Sequence, residues 1–147
     1  MTDRISPAQR SAQMSRIRGT NTKPELLVRR ILHRSGYRYL LHAASFPGRP
    51  DLVFKSRKKV IFVHGCFWHQ HSGCSDATLP KSRTRFWREK LRRNVERDEE
   101  QRRALIAMGW DVLVLWECEL ADPSLSRRLT RFLGPPAVPS HAIGAST

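Results

Sequence analysis

Long apolar runs are missing from this sequence. Nothing in its 147 residues approaches the roughly 20 consecutive apolar positions that a membrane span requires. Acidic residues are scarce, 13 Asp and Glu against 27 Lys and Arg, which leaves a formal charge of +14. Cysteine is rare and odd in number, three in all, which argues against a disulfide framework. The opening segment MTDRISPAQRSAQMSRIRG lacks the apolar centre of a signal peptide, so export is not expected and a reducing, cytoplasmic compartment is. What is present is a hydrophobic fraction of 39%, with six Phe, four Trp and two Tyr, enough for the core of one domain. A folded, strongly basic domain generates a long-range field that attracts phosphate backbones.

The charge is unevenly spread. Residues 1–21 carry Arg4, Arg10, Arg16 and Arg18 against Asp3 alone and have almost no core-forming periodicity, so they read as a basic N-terminal arm. A second basic stretch, 81–103, holds ten Lys and Arg, from Lys81 and Arg83 to Arg102 and Arg103, with its acids mostly in the second half. Residues 134–147 carry no charged side chain and are rich in proline and small residues, the composition of a disordered tail. The folded domain is expected over 22–133.

Thr22-Lys23-Pro24-Glu25 has the form of a capping box, and Leu27, Val28, Ile31 and Leu32 recur at helical spacing before Gly36, which predicts a helix over about 23–35. Tyr37–His42 reads as a strand. Asp51–Phe54 and Val60–Val63 are apolar runs split by a basic turn, the pattern of a hairpin buried on both faces. A long helix is expected from about 84 to Gly109, with Trp87, Leu91 and Val95 inward, then a strand over 110–116 and a short helix over 123–133. Trp110 and Trp116 read as strand core with no functional role. This order predicts an α/β domain with a mixed sheet flanked by helices.

Cys66, His71 and Cys74 form a C-x₄-H-x₂-C cluster in one loop, and Cys118 follows the last strand. Three thiolates and an imidazole are the donors that structural Zn²⁺ prefers. His69 is the rival to His71 for the fourth place.

With the hairpin turn centred near Arg57, Asp51 falls opposite Val63 or His64, which brings a carboxylate, a backbone carbonyl and an imidazole together. Phosphodiester hydrolysis needs hard oxygen ligands for Mg²⁺ and a base to activate water. Asp51 suits the first need, and His64 and His69 are candidates for the second. Glu25, on the first helix, could polarise a histidine or a water. Phe67 and Trp68 sit in the same polar loop rather than on a periodic face. Aromatic wedges driven into a base step cost least at a mismatch, which turns weak pairing into selectivity.

Glu25, the segment FPGRPD (46–51), HGCFWH (64–69) with His71, Phe86-Trp87-x-Glu89-Lys90, Asn94-Val95-Glu96-Arg97-Asp98 and Trp116-Glu117-Cys118 together resemble the very-short-patch repair (Vsr) endonucleases over roughly residues 8–120. The resemblance implies a restriction-endonuclease-like fold that nicks double-stranded DNA on the 5′ side of the thymine in a T·G mismatch, the product of 5-methylcytosine deamination. It implies Asp51 as Mg²⁺ ligand with the backbone carbonyl of Val63, and His69 as general base with Glu25 near it. His64 would assist at the phosphate. Structural zinc would rest on Cys66, His71, Cys74 and Cys118, and Trp87 would be a third wedge. A monomer suits single-strand nicking. Two other readings use the same residues: a zinc-stabilised DNA-binding module without chemistry, and a nuclease of this fold that cuts ordinary or restriction-site duplexes.

Overall fold

The structure is a computed structural model and describes residues 22–136. The expected basic arm, residues 1–21, and the tail from 137 onward lie outside the described residues. Helix α1 (Lys23–Arg34) starts where Thr22 Oγ1 accepts the Glu25 amide at 3.3 Å, with proline in the first turn. Strand β1 (Leu40–Leu41) is shorter than the expected 37–42 run. Tyr37 leaves the strand path to sit in the core at 2% exposure, and His42 ends it in a left-handed conformation (φ 46°).

Strands β2 (Leu52–Phe54) and β3 (Lys59–His64) form the expected hairpin. A 3₁₀ turn, Lys55–Arg57, closes it, with Lys58 at φ 54°. The register pairs Phe54 with Lys59 and Leu52 with Ile61. Pairing thus runs one or two residues short of the count made from a turn at Arg57, because the loop is centred between Ser56 and Arg57. Continued, it places Phe62 opposite Asp51, rather than Val63 or His64. Helix α2 (Thr84–Ala107) and strand β4 (Asp111–Trp116) follow, then helix α3 (Leu125–Leu133). The sheet order is β1-β2-β3-β4, antiparallel except for the parallel β3–β4 pair. The expected mixed α/β architecture is present.

Each sheet face carries its own core. On one side Val28 and Leu32 of α1 and Leu125, Leu129 and Leu133 of α3 pack against Leu52, Phe54, Ile61 and Leu115. On the other, Leu105 of α2 joins Val53, Val60 and Phe62, with Phe46 and Trp110 against them. Alternate strand residues point to opposite faces, so a two-faced sheet needs the near-continuous apolar runs seen in β2 and β3. The chain beyond α3 stays attached. Tyr37 Oη donates to the Gly134 carbonyl, and Arg57 donates to Leu133 O at 2.6 Å and Pro135 O at 2.8 Å.

Helix α2 departs from the expected inward stripe. Trp87 and Leu91 are buried, but Val95 is 41% exposed and Asn94 is buried in its place. Steps of four residues drift by about 40° each around a helix, so the inward face returns to register through a step of three. The inward series continues through Asp98 and Gln101 to Leu105. This face is apolar at its ends and polar in the middle, where it meets the cleft described next.

Candidate active site

A cleft of ≈ 1350 Å³ opens between α1, the ends of β2 and β3, the loop after β3 and the middle of α2. That is larger than a small-molecule pocket usually is and suits a macromolecular substrate. Lys23, Arg49 and Arg97 are among its lining residues, cations placed to meet phosphates. The loop carrying Arg49 is clamped to α2. Gly48 sits at φ 78°, which strains any residue with a side chain, and a Cβ there would also stand 2.8 Å from Gln101 Oε1 and force that side chain to shift.

Two groups of side chains line this cleft, and a third lies on the loop after β3 and the segment after β4. The first is Glu25, His42 and Asp51, whose donor atoms lie within 4.8 Å of one another. Asp51 enters just before β2, and its Oδ2 accepts the Val63 amide at 2.7 Å. In an extended strand the N–H and C=O of one residue project toward the same edge, so the Val63 carbonyl faces the Asp51 side too. Burial, reinforced by Glu25 and offset in part by the Val63 amide and His42, pushes the Asp51 carboxyl up to about 7. Glu25, 1% exposed, meets His42 Nε2 at 2.7 Å and Arg29 at 3.3 Å. A buried and a partly buried carboxylate at close quarters repel each other, and a hard cation between oxygen donors would offset that cost.

The second group is His64, His69 and Asp98. The His64 and His69 rings stack at 3.7 Å, 5° from parallel. Asp98 Oδ2 lies 2.6 Å from His69 Nδ1, an arrangement that leaves Nε2 for chemistry. His64 is buried, and its Nδ1 has no hydrogen-bond partner among the described residues. Burial first, and the neighbouring His69 second, pull His64 down to about 3, so it stays neutral at physiological pH. Glu25 was expected beside His69. Its hydrogen-bonded histidine is His42 instead, and Asp98 takes that place at His69.

The third group is Cys66, His71, Cys74 and Cys118, again within 4.8 Å of one another. His71 Nδ1 lies 3.3 Å from Cys118 Sγ and 3.7 Å from Cys66 Sγ. Tetrahedral Zn–S and Zn–N bonds would put sulfur and nitrogen about 3.5 Å apart, so the donor set fits a zinc-sized tetrahedral ion. Of the two candidate histidines the fold brings His71 to the sulfurs. Burial pushes the Cys66 thiol up to about 12, a cost that a bound cation would reverse.

Phe67, Trp68 and Trp87 form one aromatic cluster at the cleft, with centroid separations of 5.2, 5.6 and 5.9 Å. Phe67 and Trp68 are half-buried. Trp87, 7% exposed, lies against both. Asn94 Nδ2 donates to the Trp68 carbonyl at 3.2 Å and fixes the loop to α2.

Sequence reasoning missed His42, Asn94, Asp98 and Trp116 as site residues. Asp98 and Asn94 carried a legible signal: they are polar positions on the inward helix period, four residues from one another, with Asn94 three residues after Leu91. His42 and Trp116 carried none. If Asp98 orients His69, Asp98→Asn is expected to lower turnover by about 10-fold or more with little change in duplex affinity, because the amide can present the wrong tautomer partner. Single-turnover kinetics beside a binding titration checks this, and equal losses in both would count against it.

The family model for the DNA mismatch endonuclease Vsr matches residues 2–76, which include Glu25, Asp51, His64, His69 and the first three Cys/His donors. The chain is 51% identical over 136 residues to the type II nicking enzyme V.XorIIP of Xanthomonas oryzae pv. oryzae, covering 92% of this chain and 99% of that one. It is 43% identical over 134 residues to the type II nicking enzyme V.NmeAIP of Neisseria meningitidis, covering 90% and 95%. To the DNA mismatch endonuclease Vsr of Escherichia coli K12 it is 40% identical over 139 residues, covering 90% and 88%. A carboxylate cluster and a carboxylate-held imidazole in one cleft, with a four-donor cysteine–histidine set on neighbouring segments, accompany that similarity, and the chain belongs to the Vsr family of DNA mismatch endonucleases.

Proposed function

We propose that this chain nicks one strand of duplex DNA on the 5′ side of the thymine in a T·G mismatch, by Mg²⁺-dependent phosphodiester hydrolysis, and so starts very-short-patch repair. The observation that carries the reading is the opening of the Asp51 cluster and the His69–Asp98 pair into one cleft beside Phe67 and Trp68. The sheet with its hairpin, parallel fourth strand and flanking helices is read as restriction-endonuclease-like. The protein is read as a monomer acting in the cytoplasm.

Asp51, with the Val63 carbonyl, supplies the oxygen ligands for Mg²⁺, and Glu25 adds negative charge beside them. An Mg²⁺ ion held there would supply charge neutralisation during phosphodiester hydrolysis. His69, its Nδ1 held by Asp98, takes the proton of the attacking water on Nε2. Neutral His64, stacked on His69, fixes that ring's plane and faces the phosphate. Water's oxygen joins phosphorus as the bond to the sugar oxygen breaks, and the departing oxygen takes its proton from solvent water. Cys66, His71, Cys74 and Cys118 would hold Zn²⁺ in a structural rather than a catalytic role, since all four donors come from the protein. The staple rigidifies the loop that presents Phe67 and Trp68. Those two act as wedges at the mismatch, with Trp87 behind them.

The test is a nicking assay with Mg²⁺ on duplexes that differ only in one T·G pair, set in several sequence contexts. A single nick beside the mismatched thymine, abolished by EDTA, is expected. Equal cutting of matched and mismatched duplex would favour a general or restriction-type nuclease, and tight binding without a nick would favour a non-catalytic binding module. Phe67→Ala/Trp68→Ala is expected to lower the preference for mismatched over matched duplex by about 10-fold or more, because a wedge recovers its unstacking cost best where pairing is weak. Unchanged discrimination would remove the wedge from the mechanism.

A further inference from the structure

Four rings run in a column from the cysteine cluster to the carboxylate-held histidine. His71 stacks on Trp116 at 4.3 Å, 9° from parallel. Trp116 meets His64 edge to face at 5.2 Å and 73°. His64 stacks on His69 at 3.7 Å and 5°. His69 ends on Asp98 at 2.6 Å. Trp116 closes β4 two residues before Cys118, and its amide donates to Glu119 at 3.0 Å, so one short segment supplies both a metal-ligand thiol and the ring between the two sites.

We propose that Trp116 is a positioning residue through which the metal-loaded Cys66/His71/Cys74/Cys118 cluster fixes the ring planes of His64 and His69. The inference rests on the endonuclease reading for the roles of those two histidines. The physical argument is one of elimination around His64. Its Nδ1 has no hydrogen-bond partner among the described residues, so no bond at that atom sets its orientation. The ring is instead sandwiched by contacts: His69 on one face, Phe62 at 5.6 Å and the Trp116 ring. Dense packing leaves such a ring few orientations, and loss of one wall frees it. Stacked on Trp116, His71 is the one cluster ligand with a ring, and a bound ion would immobilise it at Nδ1. A metal-fixed imidazole therefore holds an indole, and the indole holds the imidazole that His69 lies on.

The experiment compares histidine-labelled full-length wild type, Trp116→Leu and Trp116→Phe, each loaded with Zn²⁺ and checked for one equivalent of metal. The His64 and His69 imidazole NMR signals are expected to shift and broaden in Trp116→Leu, and less so in Trp116→Phe, which keeps a ring for His71 to stack on. His33, exposed on α1, serves as the unmoved control. Turnover on the T·G duplex is expected to fall about 10- to 100-fold in Trp116→Leu, with duplex Kd within about threefold of wild type, the pattern of a misplaced catalytic group. His64 and His69 signals that coincide with wild type in metal-loaded Trp116→Leu would overturn the proposal. If that variant does not retain metal, coincidence in Trp116→Phe decides the same way. The NMR comparison needs no nicking. Ring signals that respond in a protein that does not nick would remove the endonuclease reading and leave the coupling; nicking with unmoved rings would remove the coupling alone.

Discussion

Asp51→Asn is expected to abolish nicking, by about 10³-fold or more, while leaving mismatch binding within a few-fold of wild type. A carboxylate that holds the catalytic cation supplies several kcal/mol of transition-state stabilisation, and each 1.36 kcal/mol is about tenfold in rate. The amide can still accept the Val63 N–H that Asp51 Oδ2 now accepts at 2.7 Å, so the hairpin end should hold its shape. The same substitution is expected to stabilise the fold in Mg²⁺-free buffer. The folded pKa of Asp51, about 7, lies above the ordinary 3.8, so charging this group costs the native state progressively as pH rises from about 4 through 7. Asparagine removes that cost. Its melting temperature should exceed that of wild type at pH 8, and the difference should close as pH falls toward 4. Nicking that survives within tenfold would remove Asp51 from the chemistry, and a lower melting temperature at pH 8 would contradict the strain ascribed to the carboxylate cluster.

Loss of metal from the cysteine cluster is the second large effect. The segment between β3 and α2 has one short 3₁₀ turn, Ser75–Ala77, and little apolar burial besides Cys66, so an ion bound by its cysteines and histidine would add to the few side-chain contacts that tie it to the domain. Structural metal binding is folding free energy in such loops. Cys66→Ser, or stripping with a chelator, is expected to cost several kcal/mol and lower the melting temperature by about 10 °C or more, a size-appropriate conversion. One equivalent of Zn²⁺ should restore the stripped wild type but not the variant. Discrimination between T·G and matched duplex should fall with it, because Phe67 and Trp68 belong to the same segment. Superimposable melts with and without metal would rule out the staple. Calorimetry on the two forms, with metal content measured in parallel, decides the point.

These effects act at a distance from the charges that mark the chain as basic. Helix α2 neutralises much of its own outward face: Glu89 pairs with Arg92 and Arg93, Glu96 with Arg92, and Glu99 with Arg102 and Arg103. Such exposed pairs add little to stability, but they occupy four of the ten cations in the basic stretch. Arg49 and Arg97, which line the cleft, are better placed to meet a phosphate than those four.

The amino-acid sequence by itself determined whatever depends on short range. The Thr22 cap and the proline beside it start α1, the split apolar runs make the β2–β3 hairpin, and Gly109 ends α2. The chemistry of the donors was equally legible, since cysteine clustered with histidine permits few roles and a proline-aspartate step before a buried strand presents a carboxylate at its end. Only the tertiary structure decided which groups meet. Glu25 faces His42 because β1 ends in a left-handed turn at that residue, and His69 faces Asp98 because the inward period of α2 passes beside the loop after β3. Trp116 looks like any strand-core tryptophan until parallel pairing of β3 with β4 sets it opposite His64. Local preferences act over one turn of helix or two residues of strand, whereas these pairings join residues 17, 29 and 52 positions apart through the packing of whole elements.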